Sequence, residues 1–516
     1  MKRRARVVAL ALSLALAALV SGRHGLFAHA HGSGGAMFPA AATVPHDRLG
    51  TLDFTPCELK QPSSGETTAA WCAPFEVPEN PAAPAGRRIA LRLALIRSRA
   101  ARPEPDPVVF IAGGPGQSAV DSYPQVAQAL APLRQHRNLL LLDQRGTGGS
   151  AALGCPRAEK AAEGRAPQSG FDAAQVKADT EACLAEVEQH ADPRFYTTTD
   201  AVSDLIALRK ALGAPKFDLV GVSYGTRVAQ QYALRDPDGV RSLVLDSVVP
   251  NTLVLGQDFA RNLDEALRSD FALCGGTPEC AKAFGDPWTN LLRLRDRLKA
   301  SAPMVSFPDP ATFAPTTRAL TTGRLLDTVR LFAYSPMTAA LLPTTIHAAL
   351  AGDYAPLMGQ SALIQRQLGD AIDDVMGMSV VCSEDAGLLE TDPRDAANLL
   401  GAIFQQQTAA QCAVWPHGAL PADFHAPLKS ALPVLILEGQ YDPVTPPRYG
   451  YEMLKTLSDG RLLIAKGQGH NVVGAGCMPR LVARFIKDLE PKTLDARCLD
   501  SLGPTPPFVN FNGAAP

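Results

Sequence analysis

The strongest constraint in this chain is a change of pattern near residue 222. An apolar run, Phe217 to Val222, passes into Gly221-Val222-Ser223-Tyr224-Gly225 and at once into a stretch with helical spacing, Thr226 to Leu234. A strand that becomes a helix within a residue or two turns so sharply that a side chain beside the turn would collide with its neighbours. Glycines on both sides of Ser223 remove that collision and leave its Oγ exposed. The pentapeptide alone also occurs as an ordinary Gly-Ser turn, and it is the strand before and the helix after that single this one out. A chain carrying such a junction must build a sheet whose strands lead into helices.

A serine hydroxyl attacks poorly until a base takes its proton, and the base must in turn be held by a carboxylate. Downstream, the apolar run Val434 to Leu437 leads into Glu438-Gly439-Gln440-Tyr441-Asp442-Pro443, and Gly467-Gln468-Gly469-His470 follows Leu462 to Ala465. Ser223, Asp442 and His470 therefore occur in the chain order of an α/β-hydrolase nucleophile, acid and base. Asp246, which ends an earlier strand, competes for the acid role. Gly439 to permit a turn and Pro443 to stiffen it favour Asp442. An oxyanion hole needs backbone N–H groups, for which Tyr224 and Gly114 are the candidates, with Gly113 as the alternative in Ala112-Gly113-Gly114-Pro115-Gly116 directly after Val108 to Ile111.

Strand-like runs at Ile89 to Ile96, Val108 to Ile111, Leu139 to Leu142, Phe217 to Val222 and Ser242 to Leu245 alternate with amphipathic stretches. That alternation predicts an α/β fold, a mostly parallel sheet with helices on both faces. From 251 to 428 the strand signal fades into helical periods, Leu291 to Leu298 and Leu325 to Phe332, broken by Pro-rich loops around Phe307 to Pro315. This block is expected to be a helical cap inserted between two parts of the core, 45–250 and 429–516. The second part carries the acid, the histidine and an amphipathic helix from Arg480 to Leu489.

Lys2, Arg3, Arg4 and Arg6 precede a short apolar run from Val7 to Val20, with small residues at Ser21, Gly22, Ala28 and Ala30. This is the pattern of a secretory signal over 1–30, cut after Ala30 or near Gly22, followed by a flexible leader over 31–44. Export makes the ten cysteines disulfide candidates. Neighbouring couples are Cys57 with Cys72, Cys155 with Cys183, Cys274 with Cys280, Cys382 with Cys412, and Cys477 with Cys498, although other connectivities are open to the sequence. No CxxC pair suggests a metal site, and no cofactor is expected. Forty-nine basic against 51 acidic residues leave a formal charge of -2, without a run that would draw nucleic acid. No second apolar stretch of spanning length follows the leader, so stable membrane insertion is not expected.

Gly113-Gly114-Pro115-Gly116-Gln117-Ser118, Asp143-Gln144-Arg145-Gly146-Thr147-Gly148, Gly221 to Gly225, Gly439 to Pro446 and Gly469-His470, taken in this order, resemble the successive motifs of proline iminopeptidases and exported tripeptidyl aminopeptidases. The similarity runs from about Leu52 to Cys498. It implies an α/β-hydrolase fold with a helical cap after the sixth strand, and an exopeptidase acting at a free peptide N-terminus. In the resembling family a cap glutamate binds the substrate amino group. That role is carried to Glu384, and secondarily to Asp385, in Val381-Cys382-Ser383-Glu384-Asp385, where a solvated turn or a helix cap is the structural alternative. Ala112 stands where proline iminopeptidases usually have His, and their Trp-Glu cap signature is absent, so the tripeptidyl type fits better.

The expectation is an exported serine exopeptidase, periplasmic or secreted, acting on peptides with a free N-terminus. A carboxylester hydrolase on the same fold is the alternative, and a non-catalytic binding protein the more remote one. Sequence leaves the oligomeric state open.

Overall fold

The computed structural model describes residues 47–62, 64–163, 171–369 and 372–514; the signal and leader expected over 1–30 and 31–44 lie outside the described residues. Short runs dense in Val, Leu and Ile are buried along their whole length, as strands covered on both faces must be. In chain order the strands are β1 (Asp47–Leu49), β2 (Leu52–Lys60), β3 (Thr67–Pro78), β4 (Arg88–Ile96), β5 (Val108–Ile111), β6 (Leu139–Leu142), β7 (Phe217–Val222), β8 (Val240–Asp246), β9 (Met304–Pro308), β10 (Pro315–Ala319), β11 (Val434–Gly439) and β12 (Gly460–Ala465). All but β9 and β10 form one sheet in the order β1-β2-β3-β4-β6-β5-β7-β8-β11-β12. Pairing is antiparallel from β1 to β4 and between β4 and β6, and parallel from β6 onward.

The chain runs outward from β5 to β6 and then returns to lay β7 on the other side of β5. Connections leaving β5 and β7 therefore diverge, opening a crevice at the carboxyl ends of these strands, which is where open parallel sheets bind ligands. The Gly113 to Gly116 loop leaves β5 at this point, and Ser223 directly follows β7.

Alternation along each strand divides the interior. Leu91, Leu93, Leu95, Val109, Ile111, Leu219 and Ile436 pack toward one face with helices Thr198–Leu212 and Tyr224–Arg235. Ala94, Ile96, Val108, Phe110, Val220 and Leu435 pack toward the other with helices Ala119–Leu130 and Met478–Asp488.

Between β8 and β11, the block expected to be a helical cap differs from expectation in two ways. First, β9 and β10 pair antiparallel where Pro-rich loops were expected. Val305 and Phe307 alternate inward along β9, while Pro308 and Pro315 sit at strand ends, where a missing N–H does little harm. Second, the block does not share one interior. Leu263, Phe271, Trp288, Leu291, Val329, Ile346 and Met358 form a core of their own, whereas Val375, Met376, Val380, Cys412 and Trp415 join the main core. Helix Asp374–Glu384 is therefore part of the main body.

The sulfurs of Cys57 and Cys72, Cys155 and Cys183, Cys274 and Cys280, Cys382 and Cys412, and Cys477 and Cys498 lie at bonding distance. No helix among the described residues is long and apolar enough to cross a membrane.

Candidate active site

Ser223 sits between β7 and helix Tyr224–Arg235 with φ 54° and ψ -124°. A non-glycine residue in this region stores strain of order 1–3 kcal/mol, which the surroundings must hold in place. They do so through the backbone: Ser223 N–H donates to Asp246 O at 2.8 Å, and Ser223 O accepts from Thr226 N at 2.9 Å and Thr226 Oγ1 at 2.6 Å. The flanking glycines are steric requirements. A Cβ on Gly221 would meet the Gly225 carbonyl, and one on Gly225 would run into the Ile111 and Ala112 carbonyl oxygens. Ser223 itself remains half-buried.

β11 and β12 are parallel neighbours in which Gly439 is opposite Ala465, so the loops that follow leave the same edge of the sheet. Tyr441 N–H bridges them by donating to Gln468 O at 2.9 Å. Asp442 Oδ2 consequently lies 2.7 Å from His470 Nδ1. The rest of the carboxylate is held as well: Oδ1 accepts from Val444 N and Thr445 N, both at 2.8 Å, and Oδ2 accepts from Thr445 Oγ1 at 3.0 Å. The sequence reading missed Thr445, although an Asp whose side chain folds onto the backbone two and three residues on is a recognisable turn. Both Asp442 and the His470 ring are almost fully enclosed.

Asp246, the competing acid, serves a different purpose. Its two oxygens accept from Val472 N and Val473 N at 2.8 Å each, anchoring the segment just after His470. Burial pushes its carboxyl up to about 6 against the pull of those amides. Glu438, at the end of β11, accepts from Val248 N, while its Oε2 has no protein partner. Burial, with Asp442 and Asp246 adding to it, holds Glu438 well above the usual carboxyl range.

In the loop after β5, Gly113 N–H donates to Gln117 Oε1 at 3.1 Å. Gly114 follows with φ 102°, a backbone conformation that favours glycine. Tyr224 N–H opens a helix and has no intrahelical acceptor. A Cβ built on Gly113 would lie 3.0 Å from Ser223 Cβ, so this loop closes directly over the serine.

Glu384 and Asp385 do not stand free for a substrate ammonium. Both side chains are fully enclosed. Glu384 accepts from Thr198 N at 2.7 Å and Thr198 Oγ1 at 2.9 Å, at the first residue of helix Thr198–Leu212, whose N-cap is Thr197. Asp385 Oδ2 pairs with Arg227 Nη1 at 2.7 Å. Burial, more than any other influence, drives the Glu384 carboxyl up to about 8.

The inserted block also reaches the histidine. Tyr334 O accepts from His470 N at 2.8 Å, and the Tyr334 ring meets the imidazole edge-to-face with centroids 5.0 Å apart. No motif marks Tyr334 in the sequence. Arg145 is structural, its guanidinium buried on Asp204 and on the Glu79 and Phe195 carbonyls.

A family model described as alpha/beta hydrolase fold matches residues 106–474. The chain belongs to this family. As an alpha/beta hydrolase it is an enzyme, with relatives named for peptidase activity. It is 26% identical over 493 residues to the serine protease Hip1 of Mycobacterium tuberculosis, an alignment covering 86% of this chain and 90% of that protein. The tripeptidyl aminopeptidase of Streptomyces lividans is 32% identical over 188 residues, 34% of this alpha/beta hydrolase and 35% of the relative. Among solved structures, the proline iminopeptidase of Mycobacterium smegmatis aligns with TM-score 0.39 and 15% identity over 81% of this chain and 98% of its own.

Proposed function

We propose that this hydrolase is an exported serine peptidase of the tripeptidyl aminopeptidase type, acting near the free N-terminus of peptides through Ser223, Asp442 and His470. The observation that carries the reading is the 2.7 Å Asp442–His470 contact, on loops leaving the same sheet as the strained Ser223 turn. His470 takes the Ser223 proton as Oγ attacks the scissile carbonyl, and Asp442 stabilises the imidazolium. Gly114 and Tyr224 N–H groups receive the oxyanion. His470 then protonates the leaving amine, and water, deprotonated by the same base, releases the acyl group. Export is supported by the basic and apolar N-terminus and by the five cysteine pairs. The peptide substrate is supported by the relatives named serine protease and tripeptidyl aminopeptidase.

One observation favours a second reading, a carboxylester hydrolase: the carboxylates expected to hold a substrate ammonium are enclosed. The test compares aminoacyl, dipeptidyl and tripeptidyl amides, free and N-acetylated, with short-chain esters, using Ser223→Ala as the control. Cleavage of free peptidyl amides that vanishes in the control is the expected outcome and gives the step length. A preference for esters and blocked amines would move the assignment to an esterase.

A further inference from the structure

We propose that Tyr334, a residue of the inserted block, is a positioning residue for the base His470. The inference uses the Ser223–His470 pair of the proposed mechanism but is independent of what substrate is cleaved.

The bond from Nδ1 to Asp442 fixes one point of the imidazole and does not by itself set the tilt of the enclosed ring, whereas proton transfer from Ser223 requires Nε2 to be aimed. Thr445 Oγ1, 3.4 Å from Nδ1, stands beside that same nitrogen and adds little control over tilt. Tyr334 supplies what is missing. Its ring meets the imidazole at 68° with centroids 5.0 Å apart, an aromatic arrangement with a preferred geometry. Its carbonyl oxygen accepts the His470 N–H at 2.8 Å, fixing the backbone from which the ring projects.

The approach is close enough to constrain the sequence of the partner loop. A Cβ on Gly469 would collide with the Tyr334 carbonyl and crowd that of Ala333, so glycine before the histidine is what admits the inserted block to this position. Tyr334 follows Ala333, the C-cap of helix Thr322–Phe332, whose Leu325, Val329 and Phe332 belong to the separate core of that block. The tilt of the base is thereby tied to the seating of the insertion on the main body.

The experiment measures, for wild type and for Tyr334→Ala, Tyr334→Leu and Tyr334→Phe, the rate at which a fluorophosphonate labels Ser223, its pH profile, and kcat and KM for whichever substrate is turned over. Tyr334→Leu fills the space without an aromatic edge. Tyr334→Phe keeps the ring. The expected result is labelling and kcat reduced by roughly 10-fold to 100-fold in the Ala and Leu variants, KM changed by less than about 3-fold, an altered pH profile, and recovery of most of the rate by Phe. Wild-type labelling and an unchanged pH profile in folded Tyr334→Leu would overturn the proposal, as would a Phe variant as slow as Leu. Absence of peptide cleavage together with slowed labelling would sink the peptidase reading and leave this one standing.

Discussion

At the residue scale the molecule separates carboxyl groups by their surroundings. Asp442 is met by the Val444 and Thr445 amides, the Thr445 hydroxyl and His470, whereas Glu384 is enclosed with Thr198 and driven up to about 8. Because the folded state holds the Glu384 proton more tightly than the unfolded chain does, its contribution to stability is complete below about pH 4.5. It is lost as pH rises through about 8, at up to about 1.4 kcal/mol per unit. Glu384→Gln should therefore flatten the decline of Tm between about pH 5 and 8, as followed by thermal denaturation. The same variant should keep kcat/KM on free peptidyl amides within about 3-fold of wild type, since the side chain is enclosed and engaged by Thr198. A loss beyond roughly 100-fold would restore the ammonium-binding role that the sequence suggested.

Elements meet at glycines, and each meeting can be tested by adding one carbon. Gly225→Ala places a methyl against the Ile111 and Ala112 carbonyl oxygens where helix Tyr224–Arg235 crosses the end of β5, so either strand or helix must move. The expected effect is a loss of roughly 3 kcal/mol or failure to fold, read by urea denaturation. What could be read from sequence follows the same logic. The buried strands β5 to β8 and β11 are apolar along most of their length, as is the partly buried β12, and such runs need no partner to be recognised. β2 and β3 carry exposed residues and prolines at Pro56 and Pro74, and β9 is a short alternation lying among prolines, so their pattern depends on neighbours that only the fold supplies. Helix Asp374–Glu384 buries Val375, Met376, Ser379, Val380 and Cys382, a set that does not say which core receives it. At the candidate site, the strained Ser223 turn and the Asp442–His470 pair were legible because glycines and a turn mark them in the nearby sequence. Tyr334 was not, since it acts through a carbonyl oxygen and a ring edge, neither of which demands a motif.

Over the whole molecule the cysteine pairs are local, separated by 6 to 30 residues, so they brace segments and do not join distant parts. The longest loop, between Cys382 and Cys412, ties helix Asp374–Glu384 to helix Ile403–Cys412 in the main core. Replacing both cysteines by serine should lower stability by roughly 3 kcal/mol in a denaturant titration, while Ser223 labelling in the folded fraction persists. The main core and one part of the insertion also have separate interiors, the latter centred on Phe271, Trp288, Leu291 and Ile346. A substitution within either interior is therefore absorbed first by its own packing, and the residues around His470 feel a change in the insertion where the two interiors meet. Ala333 and Tyr334 form such a seam against Gly469 and His470.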